Sequence, residues 1–334
     1  MSHLAGKADR NTFALMGMAA LLITNSHLEK LYPRPFWAAD GLLGNLVFFL
    51  LAGYGVSISQ SLNPGGLAVF YGRRLRRIYP SLWPAVGLAV ICGVPGHKWT
   101  GILDWVWNLV WPTDYRFIAQ ILILYPVVWW MARLSAQTNW LLAAGAGVLW
   151  LGIWLRNLTH PGVADLPLGK LPNYFWWVYF TWGTFLGAAL GRSGKGNLPK
   201  AAWGVLLAVM ALYFALKLEL SLRVWTRPET ASTLQLGGWL QLMAMAIVVL
   251  TVLQLDSLNG GLERLGFRTG LEKIGTMSLQ FYLLHQSLAC VLETMRGPWW
   301  GKVATLYVAT YGLAWILWRA TVGIGGRKQA GGGR

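Results

Sequence analysis

Three groups of side chains in this chain have the types and spacing that chemistry requires. The first is His27, in the segment ITNSHLEKLYP. An imidazole exchanges its proton near neutral pH and so serves as a general base; the plain alternative is a histidine at headgroup level making a hydrogen bond. Asn25 and Ser26 make this end of the segment polar, as a site open to water or substrate would be, while Glu29 points to another side of a helix. The second is His285, in MSLQFYLLHQSL, with Ser278 on the same helical face seven residues before it and Gln280 between them. An ionisable group at that depth faces the interior of a bundle, either as an interhelical hydrogen bond or as half of a pair with His27. The third is FYGRRLRRIYPSLWP, which places Arg73, Arg74, Arg76 and Arg77 within five residues. Arg74 and Arg77 share a helical face, as do Arg73 with Arg76 and Arg73 with Arg77, so two guanidinium forks can meet one phosphorylated ligand. Binding to anionic lipid is the other use of such a cluster.

The elements that position these residues are helices in a membrane. Of 334 residues, 55% are hydrophobic and 12% charged, and the chain holds 40 Gly and 21 Trp. The charged share is about half that of a soluble domain, and Gly and Trp are enriched in membrane helices and at their interfaces. The expected fold is all-α, a polytopic transmembrane helix bundle of about ten spans. They are placed near 12–28, 42–61, 80–96, 116–132, 139–155, 174–191, 201–217, 236–254, 274–294 and 299–318, with Pro80 ending the arginine segment. WTGILDWVWNLVWP, with four Trp and one Asp, reads as an interfacial helix near 99–112 that roofs one end of the bundle. Residues 1–320 form one membrane-embedded domain and 321–334 a flexible cytoplasmic tail. The polar start MSHLAGKADRN and a first apolar run without a small-residue cleavage site read as a retained first span.

Charge sets the orientation. The formal net charge is +16, from 28 Lys and Arg against 12 Asp and Glu. In a soluble protein that excess would raise nucleic acid; here basic residues retained inside many spans account for it, and no nucleic-acid partner is expected. With a cytoplasmic N-terminus, Lys7, Arg10, Arg73 to Arg77, Arg133, Arg192, Lys195, Lys200, Arg264, Arg268, Lys273 and the C-terminal basic residues fall inside, seventeen of the 28. Both termini are then cytoplasmic, the arginines sit at the inner mouth, and both histidines lie in the outer half. Chemistry and anion site would be separated by most of the bilayer, about 30 Å of hydrocarbon. Cys92 and Cys290 lie in apolar runs, so neither a disulfide nor a metal is expected. No Asp or Glu falls in the middle of a span, which weakens a proton-coupled transporter.

In order along the chain, the first span ending at His27, GNLVFFLLAGYGVSIS from Gly44 to Ser59, RRLRRIYP from Arg73 to Pro80, FIAQILILYP from Phe117 to Pro126, YFTWGTFLG from Tyr179 to Gly187 and SLQFYLLHQS from Ser278 to Ser287 form a pattern that resembles acyltransferase family 3. These are integral membrane O-acyltransferases, often O-acetyltransferases, acting on sugars of bacterial surface or exported polysaccharides. Two positions depart from the family. The basic residue eleven positions before the first-span histidine is Met16 here, and the small hydroxyl before the second-span glycine is Ala52.

The resemblance implies a bacterial inner-membrane, multi-pass enzyme that moves an acyl group from cytoplasmic acyl-CoA, such as acetyl-CoA, to a hydroxyl of a saccharide or exopolysaccharide on the periplasmic side. Arg73, Arg74, Arg76 and Arg77 would hold the phosphates of the donor. His27 would be the general base, and His285 would polarise the carbonyl, orient the acceptor or carry an acyl intermediate. Besides acyl-CoA and the acceptor, membrane lipids are the expected partners. Two rivals share the composition: a transporter or flippase for a saccharide or lipid-linked sugar, and a scaffold in which the three groups are structural.

Overall fold

The computed structural model describes residues 2–34, 37–38, 41–94, 101–111, 115–159, 173–193, 201–226 and 233–326. Among them the chain is all-helical, with thirteen helices and no strand. These are α1 (Ser2–Ser26), α2 (Gly41–Leu62), α3 (Leu67–Ile91), α4 (Ile102–Val110), α5 (Arg116–Met131), α6 (Ala136–Thr159) and α7 (Asn173–Ser193). They continue with α8 (Ala201–Thr226), α9 (Thr233–Leu253), α10 (Leu255–Arg264), α11 (Arg268–Thr276), α12 (Ser278–Thr294) and α13 (Trp299–Gly326). Among the described residues three helices, α2, α6 and α8, are long and apolar enough to cross a membrane, and a fourth span results if α9 and α10, bent by 78°, count as one. The α1 and α3 sequences carry Lys7, Asp9 and Arg10, and four arginines, respectively. α13 continues to Gly326, six residues into the segment read as a tail; 327–334 lie outside the described residues, as do Lys195 and Lys200.

The chain forms two compact units interleaved along the sequence, one built from 1–11, 45–64 and 124–266, the other from 12–44, 65–123 and 267–334. In the first unit α2 and α7 approach at glycines. A Cβ at Gly187 would run into the Leu50 carbonyl, and one at Gly53 into the Thr184 carbonyl, so the small residues let the backbones touch. An aromatic core surrounds Trp150, whose indole donates to Gln241 Oε1 at 3.0 Å while the Tyr179 hydroxyl donates to the Gln241 carbonyl at 2.8 Å. Each buried polar tip thus finds a partner. Gly187→Leu is expected to destabilise the protein by about 3 kcal/mol through overpacking. Gly204→Ala, where a Cβ meets open space, should stay within about 0.5 kcal/mol. Thermal unfolding of the detergent-solubilised chain checks both.

The second unit carries every candidate residue. Its α12 packs against α3 and α13, and α1 lies against α11 where Gly17 faces the Leu271 carbonyl and Gly275 the Phe13 carbonyl. The expected single helix over 274–294 is two: α11 ends at Thr276 and α12 starts at Ser278.

Two sequence expectations about α3 are corrected. The helix begins at Leu67, not near residue 80, and it runs through Pro80 and Pro84. A proline inside a helix removes one backbone donor and is tolerated where tertiary contacts hold the flanking turns in line. Here Gln280 Nε2 donates to Ser81 Oγ at 2.9 Å, Trp83 Nε1 donates to the Leu109 carbonyl at 3.0 Å, and the Tyr79 hydroxyl donates to the Val110 carbonyl. The arginine cluster therefore shares one continuous helix with the third apolar segment. The same contacts place the last turn of α4 beside Tyr79 and Trp83 of α3. Part of the 99–112 segment, residues 99, 100 and 112, lies outside the described residues. α4 itself turns Ile102, Leu103, Trp107 and Val110 outward.

Candidate active site

His27 follows the last turn of α1, its backbone N–H donating to the Thr24 carbonyl at 3.1 Å. Directly after it the chain is sealed to the bundle: Leu28 and Leu31 are buried with Ala289 and Leu292 of α12 and Leu306 of α13. That cluster fixes the height of His27 against α12. The imidazole is consequently held over His285, with ring centroids 5.0 Å apart and planes tilted by 45°. The two histidines, 258 positions apart in the chain, meet in space as a pair. Among the described residues no group of three His, Cys, Asp or Glu could hold a metal.

The pair is asymmetric. His27 is exposed, whereas His285 is buried with 2% of its surface accessible. Among the described residues the His285 ring bonds to no other helix, its interactions being with the Phe281 and Tyr282 backbone of the preceding turn, and Thr24 Oγ1, one turn before His27, has no partner. Buried polar groups are nearly always paired, because an unanswered one costs roughly 1–3 kcal/mol. A neutral imidazole offers one donor and one acceptor nitrogen, so the pair presents such groups both at the solvent side, on His27, and in the interior, on His285.

Around His285 the wall is aromatic. Tyr282, one turn earlier on α12, lies 5.8 Å from it between ring centroids, and Phe117 and Tyr115 meet Tyr282 at 5.4 and 6.4 Å. The Tyr115 hydroxyl donates to the Leu283 carbonyl at 3.4 Å, which ties the start of α5 to α12. Sequence reading did not single out these rings. Tyr282 had a signal, its i−3 spacing from His285; Tyr115 and Phe117 had none, since only the tertiary fold brings them near. Gln280, noted below His285, turns to Ser81.

The arginines lie nearer to the histidines along the helices than the bilayer-width separation expected from the sequence. Arg77 precedes Ser81 by one turn, Ser81 is bonded to Gln280, and Gln280 precedes His285 by five residues. At 1.5 Å per residue along α3 and α12 the axial offset between Arg77 and His285 is at most about 14 Å. The shortening has one cause: the arginines ride within α3, not at its foot. Arg73, Arg76 and Arg77 are exposed, and the half-buried Arg74 guanidinium lies over the Phe70 ring at 5.4 Å. Cys92 and Cys290 are free thiols.

A family model described as an acyltransferase domain matches residues 3–319 of the chain. No curated protein and no solved structure matches it.

Proposed function

The chain belongs to acyltransferase family 3, and from that membership we propose that it transfers an acyl group, acetyl in the simplest case, from cytoplasmic acyl-CoA to a hydroxyl of a saccharide acceptor on the periplasmic side of the bacterial inner membrane. The observation that carries the reading is the His27–His285 pair at 5.0 Å, one ring exposed and the other buried. His27, open to solvent, takes the proton of the acceptor hydroxyl as its oxygen attacks the thioester carbonyl carbon. His285, in the interior, donates to the carbonyl oxygen as negative charge develops there, where a low dielectric strengthens the interaction. Collapse of the tetrahedral centre breaks the C–S bond, and the departing thiolate of coenzyme A recovers the proton from His27.

Arg73, Arg74, Arg76 and Arg77 hold the donor phosphates, and the thioester arm runs along α3 and α12 towards the histidines over the axial offset of about 14 Å. In this reading the remaining long helices cross the membrane as well, to about ten spans. α4, with its outward apolar side chains, rests in the interface, and both termini are cytoplasmic. The transporter reading of the same span pattern draws no support from the family.

Sealed inside-out membrane vesicles containing the chain test the reaction and its direction together. Acetyl-labelled acetyl-CoA added outside should be consumed, and the label should accumulate in saccharide within the lumen. Absence of acetyl-CoA consumption would remove the enzyme reading, and label confined to the outer face would reverse the direction.

A further inference from the structure

Beside His27 the second unit carries a cluster of rings that the reaction above does not use. Tyr32 and Trp37, from the connection after α1, meet Trp299 at the start of α13. Centroid distances are 6.0 Å for Tyr32 with Trp37, 5.8 Å for Tyr32 with Trp299 and 5.3 Å for Trp37 with Trp299. Both pairs involving Trp37 are edge-on, and the third is tilted. One amide fixes the arrangement: the Tyr32 hydroxyl donates to Asn25 Oδ1 at 2.7 Å, and Asn25 Nδ2 donates to the Trp37 carbonyl at 2.8 Å. Asn25 is two residues from His27. Beneath lies the apolar floor of Leu28, Leu31, Ala289, Leu292 and Leu306, against which Tyr32 packs. Two residues before Tyr32, Lys30 Nζ meets Glu293 Oε2 at 3.1 Å, the lysine side chain 65% exposed.

Trp at a membrane surface usually sits there as an anchor, and an anchor needs no particular geometry among its rings. These rings come from two segments, are braced by the half-buried Asn25 amide, and still leave Trp37 41% and Trp299 38% exposed. A rigid aromatic face with an amide bonded into it, and an ammonium on the same segment paired with a carboxylate, suits a ligand that is itself flat and apolar on its faces and polar around its rim. A pyranose has that shape: axial C–H bonds on the faces and hydroxyls at the circumference.

We infer that Tyr32, Trp37 and Trp299 form the acceptor subsite, stacking a pyranose ring whose hydroxyl then reaches His27. The inference rests on the acyl-transfer reading for its purpose, though not for its geometry. Lys30 and Glu293 hydrogen-bond the hydroxyls that are not acylated, and the placement on the His27 segment explains why the base is the exposed member of the histidine pair.

The test is saturation-transfer NMR on the purified full chain in detergent, with the methyl pyranosides of glucose, galactose, mannose and N-acetylglucosamine as probes. Transfer is expected to the ring C–H protons of at least one probe. It should fall about fivefold in Trp299→Leu, the loss of one aromatic contact, and stay above half in Trp299→Phe, which keeps an aromatic face and guards against misfolding. Trp130→Leu, at a residue of the other unit that is 50% exposed, should be unchanged. No transfer to any of the four probes, or equal transfer in Trp299→Leu and the unmodified chain, overturns the inference and returns these rings to the role of membrane anchors. The two readings fail separately. Acetyl-CoA turnover without pyranoside contact removes the subsite alone, whereas pyranoside contact without turnover leaves the subsite and removes the acyl transfer.

Discussion

His27→Ala is expected to lower acyl transfer by about 100-fold or more, the usual scale of a general base, while the protein stays folded in the membrane. The two halves of this expectation have separate causes. His27 is exposed and lies beyond the last turn of α1, so truncating it opens no cavity in the core and should cost little stability. The fold at this point is held by Leu28 and Leu31 in their cluster with α12 and α13, which the substitution leaves in place. The chemistry is not so protected. His285 would keep its place but, being buried, could not collect a proton from an acceptor arriving from solvent. His27→Gln, which retains hydrogen bonding without accepting a proton, should be nearly as slow as alanine. The measurement is the initial rate of label transfer at saturating acceptor, with thermal unfolding recorded in parallel. Turnover near that of the unmodified chain would assign the base elsewhere, and a collapsed unfolding temperature would assign His27 to the fold.

That His27 and His285 belong together was legible in the sequence only as a matter of depth: two polar groups near the same end of two helices. Their contact depends on things a sequence does not display, among them the break at Met277 between α11 and α12 and the close approach of Gly17 and Gly275 to facing carbonyls. Apolar helices such as α2 and α6 were legible because length and hydropathy alone define them. α3 was half legible: hydropathy windows stop at four arginines, and Pro80 reads as a terminus, but the bonds from Gln280, Tyr79 and Trp83 sustain the helix across it. α10, with the sequence LDSLNGGLER, was not legible at all. It is too short and polar for a span, and it ends at Arg264, two residues before Gly266, whose φ of +74° is the left-handed conformation that glycine supplies without strain after a helix. The ring cluster of Tyr32, Trp37 and Trp299 was hidden for a different reason. Among 21 tryptophans those that are braced look the same, residue by residue, as those that anchor.

Arg74 and Arg77 together carry the second large effect. They lie three apart on α3, a spacing at which two forks can meet one anion as no single cation does. If they hold the donor phosphates, replacing both with Gln removes charge-assisted hydrogen bonds worth roughly 1.5–3 kcal/mol, and acetyl-CoA should bind about 10- to 100-fold more weakly. A short thioester such as S-acetyl-N-acetylcysteamine has the reacting group and part of the arm but no nucleotide, so its reaction should change by no more than about twofold. This split separates the possible roles. Lipid-anchoring arginines would change neither donor selectively, and arginines needed for the fold would depress both donors alike; either outcome discards the phosphate site. The effect should fall on KM for acetyl-CoA with kcat nearly intact, because the lost contact is present equally before and during the chemical step. The axial offset of about 14 Å between Arg77 and His285 makes the assignment mechanically sensible. The arm of the donor has roughly half a bilayer to cross, and α12, bonded to α3 through Gln280 and Ser81, leads from one site to the other.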